Sequence, residues 1–281
     1  MLSILYGVSS ALSWGTADFA GAIATRKTSA CRAAFYSNVL GLILLLVCLA
    51  IFPESFPDTE AFVFAGIAGT FSSVSMLILF HCMANGNICI AAPLSALSAA
   101  GLPVFTGIFI QGLPDPIQLL GVVLALFAIW LISRGNFNGL FKIPSVINLF
   151  LPVLAGFGFG FYFIFMHYAV TDNQSILWPM IAAYTTGSLL LFLSVVFRRE
   201  PLLIPRNTLG VVLINVGCNM GGNFFYILAL KFGRLDVSVA LSSLYPAGTV
   251  ILAWFFLKER ILPSQWLGIF LALIAIIFFT A

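Results

Sequence analysis

Long apolar runs, broken only by short clusters of charged and turn-forming residues, constrain this chain more than any other feature. A membrane-crossing helix needs about 20 mainly apolar residues. Ten such runs can be read, at 2–23, 32–52, 61–83, 89–111, 116–133, 147–169, 176–197, 208–230, 236–257 and 263–280. The breaks fall at clusters such as Arg26-Lys27, Pro53-Glu54, Asn85-Gly86-Asn87, Asp172-Asn173 and Lys258-Glu259-Arg260. Most loops are under about ten residues and none could house a soluble domain, so the function must lie within the membrane. A transmembrane β-strand alternates apolar and polar residues, whereas these runs are continuous. The predicted fold is therefore all-α transmembrane. Composition agrees: 62% of residues are hydrophobic and 7% charged, against about 45–50% and about 25% in soluble domains. That excludes a soluble enzyme, a nucleic-acid-binding protein and a disordered chain.

Orientation follows from Lys and Arg, which favour cytoplasmic loops. Ten of the twelve follow odd-numbered spans: Arg26, Lys27, Arg32, Arg134, Lys142, Arg198, Arg199, Arg206, Lys258 and Arg260. Only Lys231 and Arg234 follow even ones. This predicts odd loops in the cytoplasm and both termini outside, in what would be a bacterial inner membrane. The first span has no basic segment before it, so it is expected to stay as a span and not to be cleaved. Asn173-Gln174-Ser175 matches a glycosylation sequon by coincidence. The five cysteines show no CxxC spacing and sit mostly in apolar runs, as reduced packing residues do.

Residues 86–129 repeat at 233–276, with 16 of 44 positions identical, including Leu94/Leu241, Ser95/Ser242, Gly101/Gly248, Pro116/Pro263 and Gln118/Gln265. An internal repeat in a helical membrane protein points to transport, with a solute site near the midplane. Five spans per half is an odd number, so the second half is flipped and the repeats are inverted. The expected organisation is 1–135 and 147–281 as two five-helix repeats, joined by a linker at 136–146.

Several motifs then carry a family resemblance. Trp14-Gly15-Thr16-Ala17-Asp18-Phe19 resembles the first helix of EamA-type members of the drug/metabolite transporter superfamily. Pro93-Leu94-Ser95-Ala96-Leu97 and Leu241-Ser242-Ser243-Leu244-Tyr245-Pro246 resemble that family's fourth and ninth helices. Leu257-Lys258-Glu259-Arg260, with Pro263, Gln265 and Gly268, resembles its LxER signature. In the first half Gln111-Gly112-Leu113-Pro114 replaces the Glu-Arg pair. The resemblance implies a ten-helix carrier that moves small metabolites, often amino acids or drugs outward.

Polar side chains in hydrocarbon are costly and tend to face a cavity or a partner. Asn215, Asn219 and Asn223 are spaced i, i+4 and i+8, which puts three carboxamides on one helix face. Tyr226 extends that stripe, and Ser72 and Ser75 of span 3 form the natural opposite wall. Ser95 pairs with Ser242 at the repeat offset, and Ser98 with Tyr245. Trp14, Tyr162, Trp178 and Tyr184 could form an aromatic wall. The alternatives are helix–helix hydrogen bonding for the Asn residues and bonding back to their own helix for the serines. Asp18 is the one acid well inside a span. It is either a proton or cation carrier, the partner of a substrate amine, or an ion-pair partner of Arg26, Lys27 or Arg32.

His81 and His167 fall toward opposite faces, so no shared metal site is expected, and no cofactor. Gly156 and Gly160, and Gly217 and Gly221, are read as close helix contacts. The expected partners are a small-molecule substrate and the lipid bilayer, with the protein a monomer or weak dimer. An intramembrane enzyme is disfavoured because no nucleophile–base set or metal cluster converges. A receptor or assembly subunit is disfavoured by the inverted repeat.

Overall fold

Many small residues face inward in this protein and many large apolar ones face outward. On the helix at 116–133 the buried positions include Val122, Ala125, Ala128 and Ile129, while Leu120, Val123, Phe127 and Trp130 are exposed. The last helix repeats the pattern, with Ala272 and Ala275 inside and Trp266, Leu267, Phe270 and Leu273 outside. Lipid tails solvate Leu and Phe as well as a core does, so helices associate in a membrane through small residues that let backbones approach.

The structure, a computed structural model, describes residues 1–84, 88–133, 146–171, 175–258 and 261–280. The helices are α1 (Leu2–Lys27), α2 (Ala30–Ile51), α3 (Thr59–Ala84), α4 (Ile88–Gln111), α5 (Pro116–Ser133), α6 (Val146–Val170), α7 (Leu177–Phe197), α8 (Leu209–Phe232), α9 (Leu235–Ser242), α10 (Tyr245–Leu257) and α11 (Pro263–Thr280). No strand occurs among the described residues. Seven stretches are long and apolar enough to cross a membrane by length and composition, and α5 and α11 add two shorter apolar helices. The Ala- and Gly-rich α1 is not among the seven, yet its 26 residues reach about 39 Å at 1.5 Å each. The expected breaks at Asn85-Gly86-Asn87 and Asp172-Asn173, nearly all of the linker, Glu259-Arg260 and the side chain of Cys89 lie outside the described residues. Cys31, Cys48, Cys82 and Cys218 are free thiols.

The ninth span differs from expectation. It is two helices, α9 and α10, joined at Ser243-Leu244. Pro246 lacks the N–H that would continue the ladder, and the join tightens to three-residue spacing, with Leu244 N donating to Leu241 O and Ala247 N to Leu244 O. Its repeat mate α4 has alanine at 99 in place of that proline and runs unbroken.

The packing has two-fold pseudosymmetry. α1 packs on α8 as α6 does on α3; α1 on α9 and α10 as α6 on α4; α2 on α8 as α7 on α3. α5 packs on α11 and α2 on α7, each pair being its own image. The most extensive contacts thus join one sequence half to the other. The packed bodies are mixed: α1, α8, α9 and α10 form one group and α3, α4, α6 and α7 the other, while α2 bridges them, packing on α7 and α3 more than on α8 and α1. Close approach is built in by glycine. A Cβ on Gly69 of α3 would meet the Ala183 backbone of α7, and one on Gly156 of α6 would meet Ser95 O of α4. Gly217 and Gly221, expected as a tight contact, have open space or only Ser13 nearby; Gly222 lies against the Trp14 ring instead.

Candidate functional site

Between the two groups lies a cavity lined by residues of α1, α2, α3, α4, α6, α7, α8 and α10. One wall is formed by Trp14 and Asp18 of α1, Asn38 of α2, Asn215, Asn219 and Asn223 of α8, and Tyr245 at the start of α10. The facing wall carries Ser72 and Ser73 of α3, Tyr162 of α6 and Tyr184 of α7. Met76, Met166 and Met180 join Phe80, Phe159 and Phe163 as its apolar part.

The three Asn side chains are held differently. Asn215 Nδ2 donates to Ala17 O at 2.7 Å, tying α8 to α1. Asn223 Nδ2 donates to Tyr184 Oη at 3.1 Å and to Asn219 O at 2.7 Å. Tyr162 Oη donates in turn to Asn223 Oδ1. Asn219 Nδ2 reaches Tyr184 Oη only at 3.4 Å, a long bond that leaves it the most available of the three. Two tyrosines from one group and two asparagines from the other therefore form a polar junction across the cavity.

Among the described residues, Asp18 is the sole carboxylate on the lining, and no Lys, Arg or His lies there. Its Oδ2 is buried and has no hydrogen-bond partner. The ion pair with Arg26, Lys27 or Arg32 is not formed among the described residues. Arg32 instead pairs with Glu200 at 3.5 Å. Trp14 sits one turn from Asp18, packed on Tyr226 with ring centroids 5.6 Å apart. An unpaired carboxylate beside aromatic and amide groups suits a cation, because desolvated charge needs a counter-charge and an aromatic face attracts one.

Five expected site residues lie off the lining. Tyr226 is fully buried, donates to Phe163 O at 3.2 Å and supports Trp14 from behind. Ser75 is buried opposite Gly158 at the α3–α6 contact. Ser95 and Ser98 lie over Gly156 between α4 and α6, and Ser98 Oγ donates to Leu94 O at 3.0 Å, bonding back to its own helix. Ser242 is the buried last residue of α9. Trp178 is not in the aromatic wall: its Nε1 donates to Glu54 O at 3.1 Å at a helix end. His81 is exposed and His167 buried.

Asn38 and the Tyr184 hydroxyl were not anticipated. Asn38, in the middle of an apolar span, carried the same signal as the Asn residues of α8 and could have been found by it. Asp236 stands at the start of the ninth span. It is fully buried, and Arg234 clamps it at 3.1 and 2.9 Å. Arg234 also donates to Gln111 O and Gly112 O past the end of α4.

The EamA-like transporter family matches the sequence over residues 1–134 and 146–281. The chain belongs to that family. It is therefore an integral, multi-pass membrane transporter of the drug/metabolite transporter superfamily, a family of transporters and not of enzymes. No curated protein matches the sequence. A protein known from a crystal structure is similar over 99% of this chain and 96% of its own, with a TM-score of 0.77 at 16% identity. At that identity the likeness shows the fold alone.

Proposed function

We propose that this EamA-like protein is a secondary transporter working by alternating access. It moves a small polar metabolite bearing an amine, such as an amino acid or a drug-like amine, outward or in exchange. The observation that carries this reading is the lining: among the described residues it has one carboxylate, with its Oδ2 unpartnered, no basic side chain, and an amide–hydroxyl junction that can donate and accept. In this reading Asp18 meets the amine or the coupling proton. Asn219, Asn223 and Tyr162 bind polar groups, and Trp14, Ser72 and Tyr245 shape the wall. Asn215, already bonded to α1, holds its helix in place. Tyr226, Ser75, Ser95, Ser98 and Ser242 act indirectly, by fixing the helices that bear the site. Gradients supply the energy. The protein sits as a monomer or weak dimer in a bacterial inner membrane, with both termini outside.

The test begins with a thermal-shift screen of amines, amino acids and neutral polar metabolites on purified protein, because a ligand of the native state raises its stability. Any hit is then followed as flux in proteoliposomes. Stabilisation and saturable flux of amine-bearing solutes are expected. Preference for anionic solutes would overturn the reading. Orientation is checked with single cysteines on a background lacking native ones. An impermeant thiol reagent on intact cells should label Leu113→Cys and spare Leu203→Cys.

A further inference from the structure

Two polar contacts far apart in the fold are built to the same plan. Ser29 caps α2, accepting from Arg32 N at 3.2 Å, and its hydroxyl donates to Glu200. Ser175 does the same for α7: it accepts from Trp178 N at 3.3 Å, and its hydroxyl donates to Glu54 at 2.6 Å. Each glutamate stands three residues beyond the helix that precedes it, Glu54 after Ile51 and Glu200 after Phe197. The third residue after each serine reaches across in both cases. Arg32 Nη1 donates to Leu203 O at 3.3 Å, and Trp178 Nε1 to Glu54 O at 3.1 Å. The serines are 146 positions apart, and so are the glutamates. The pseudo-two-fold axis therefore maps one contact onto the other.

Their location gives the duplication a use. α2 bridges the two packed groups, and it crosses α7 of the second group directly. They run antiparallel, so the start of α2 lies by the end of α7, and the reverse at the opposite membrane face. Both helices also line the cavity, through Asn38 and Tyr184. The crossing of α2 on α7, which ties the two groups together, is thus pinned at each end by a serine–carboxylate hydrogen bond, with the cavity between.

We propose that Ser29–Glu200 and Ser175–Glu54 are paired gate latches. Release of one lets the cavity open at that face while the other holds the far face shut. An inverted repeat needs such a pair, since each half must perform at one face what its image performs at the other. The Ser29 latch carries Arg32 on Glu200 at 3.5 Å. On Glu54 the Ser175 latch uses two backbone donors, Ile176 N at 2.9 Å and Leu177 N at 2.8 Å, and the charge of Lys231 also acts on that carboxylate. The two are equivalent in position and unequal in chemistry, so the resting bias between faces is set here.

The proposal goes beyond the solute reading, and its test uses no solute. The full-length protein carries Ser72→Cys as a cavity reporter on a background lacking native cysteines, in right-side-out and inside-out vesicles. Glu200→Gln should raise reporter labelling by an impermeant thiol reagent about tenfold from the Glu200 face only, the shift expected when a charge-assisted hydrogen bond is lost from one of two states. Glu54→Gln should do so from the other face only. Ser29→Asp and Ser175→Asp keep a residue that caps helices while setting a carboxylate against the glutamate, and should give the same two one-sided increases. If these contacts serve only as caps, the Asp variants will label as the parent does from both faces, and the proposal falls. Equal increases from both faces would overturn it as well. Normal one-sided gating in a protein that moves no amine would instead count against the solute reading alone.

Discussion

Tyr162 on α6 and Asn223 on α8 join hydroxyl to carbonyl across the cavity, one residue from each packed group. Asn223 also donates to Tyr184, so one side chain satisfies two buried phenols.

Asn223→Ala should leave both phenols short of a partner. A destabilisation of about 1–3 kcal/mol is expected from stranding buried polar groups, read as a lower melting temperature, together with at least tenfold slower flux. Asn219→Ala is expected to separate these effects. Its bond to Tyr184 is long, so stability should hold, while flux falls about tenfold through loss of one or two hydrogen bonds to the solute worth about 1.5 kcal/mol together. Normal flux in both variants would remove the Asn stripe from the site.

Asp18→Asn tests charge. Because no cation pairs with Asp18 among the described residues, thermal stability should not fall. Uptake driven by a pH gradient should be abolished while solute exchange remains measurable. Parallel loss of stability and of both activities would mark Asp18 as a structural residue.

Arg234→Ala should leave Asp236 as a buried, unpaired carboxylate, since Arg234 forms both of its bidentate bonds. Breaking one side of such a pair costs about 3–5 kcal/mol. The variant should melt well below the parent, and Arg234→Lys, without the planar fork, should recover only part of the difference.

Gly69→Ala and Gly217→Ala make a matched comparison on helix packing. A Cβ at 69 would meet the Ala183 carbonyl group, whereas one at 217 meets nothing within 4 Å. The first should destabilise by about 1–3 kcal/mol, as overpacking does. The second should be neutral or stabilise by up to about 1 kcal/mol, because alanine favours the helix.

The helices were readable because charged and turn-forming clusters are the only stops in an apolar chain, and the inverted repeat because glycine, proline and serine recur at one offset. The Asn stripe was visible for the same reason: amides spaced a turn apart stand out against leucine. What each Asn bonds to was not visible. Asn215 turns to Ala17 and Asn223 to two tyrosines because of how α8 lies on α1, α6 and α7, and spacing along one helix carries no information about its neighbours. The latches escaped notice for a related cause. Ser29, Glu54, Ser175 and Glu200 recur at 146 positions but lie outside the segment where the repeat is dense, and their pairing needs α2 beside α7. The break in the ninth span did have a signal, Pro246, whose missing N–H interrupts a helix.

Met76, Met166 and Met180 give the apolar side of the cavity an unusual mechanical quality. Thioether chains are unbranched and turn about three bonds, so they fill irregular gaps and adapt to what they touch. A guest of different width can be sheathed by re-aiming sulfur atoms while the backbone stays where it is. In the proposed reading, breadth of cargo would follow from the soft face and discrimination from the Asp18 carboxyl group opposite. The same softness is a chemical weakness. Peroxide converts methionine to its sulfoxide, polar and chiral, and would turn a yielding, water-shy wall into a stiff, wet one.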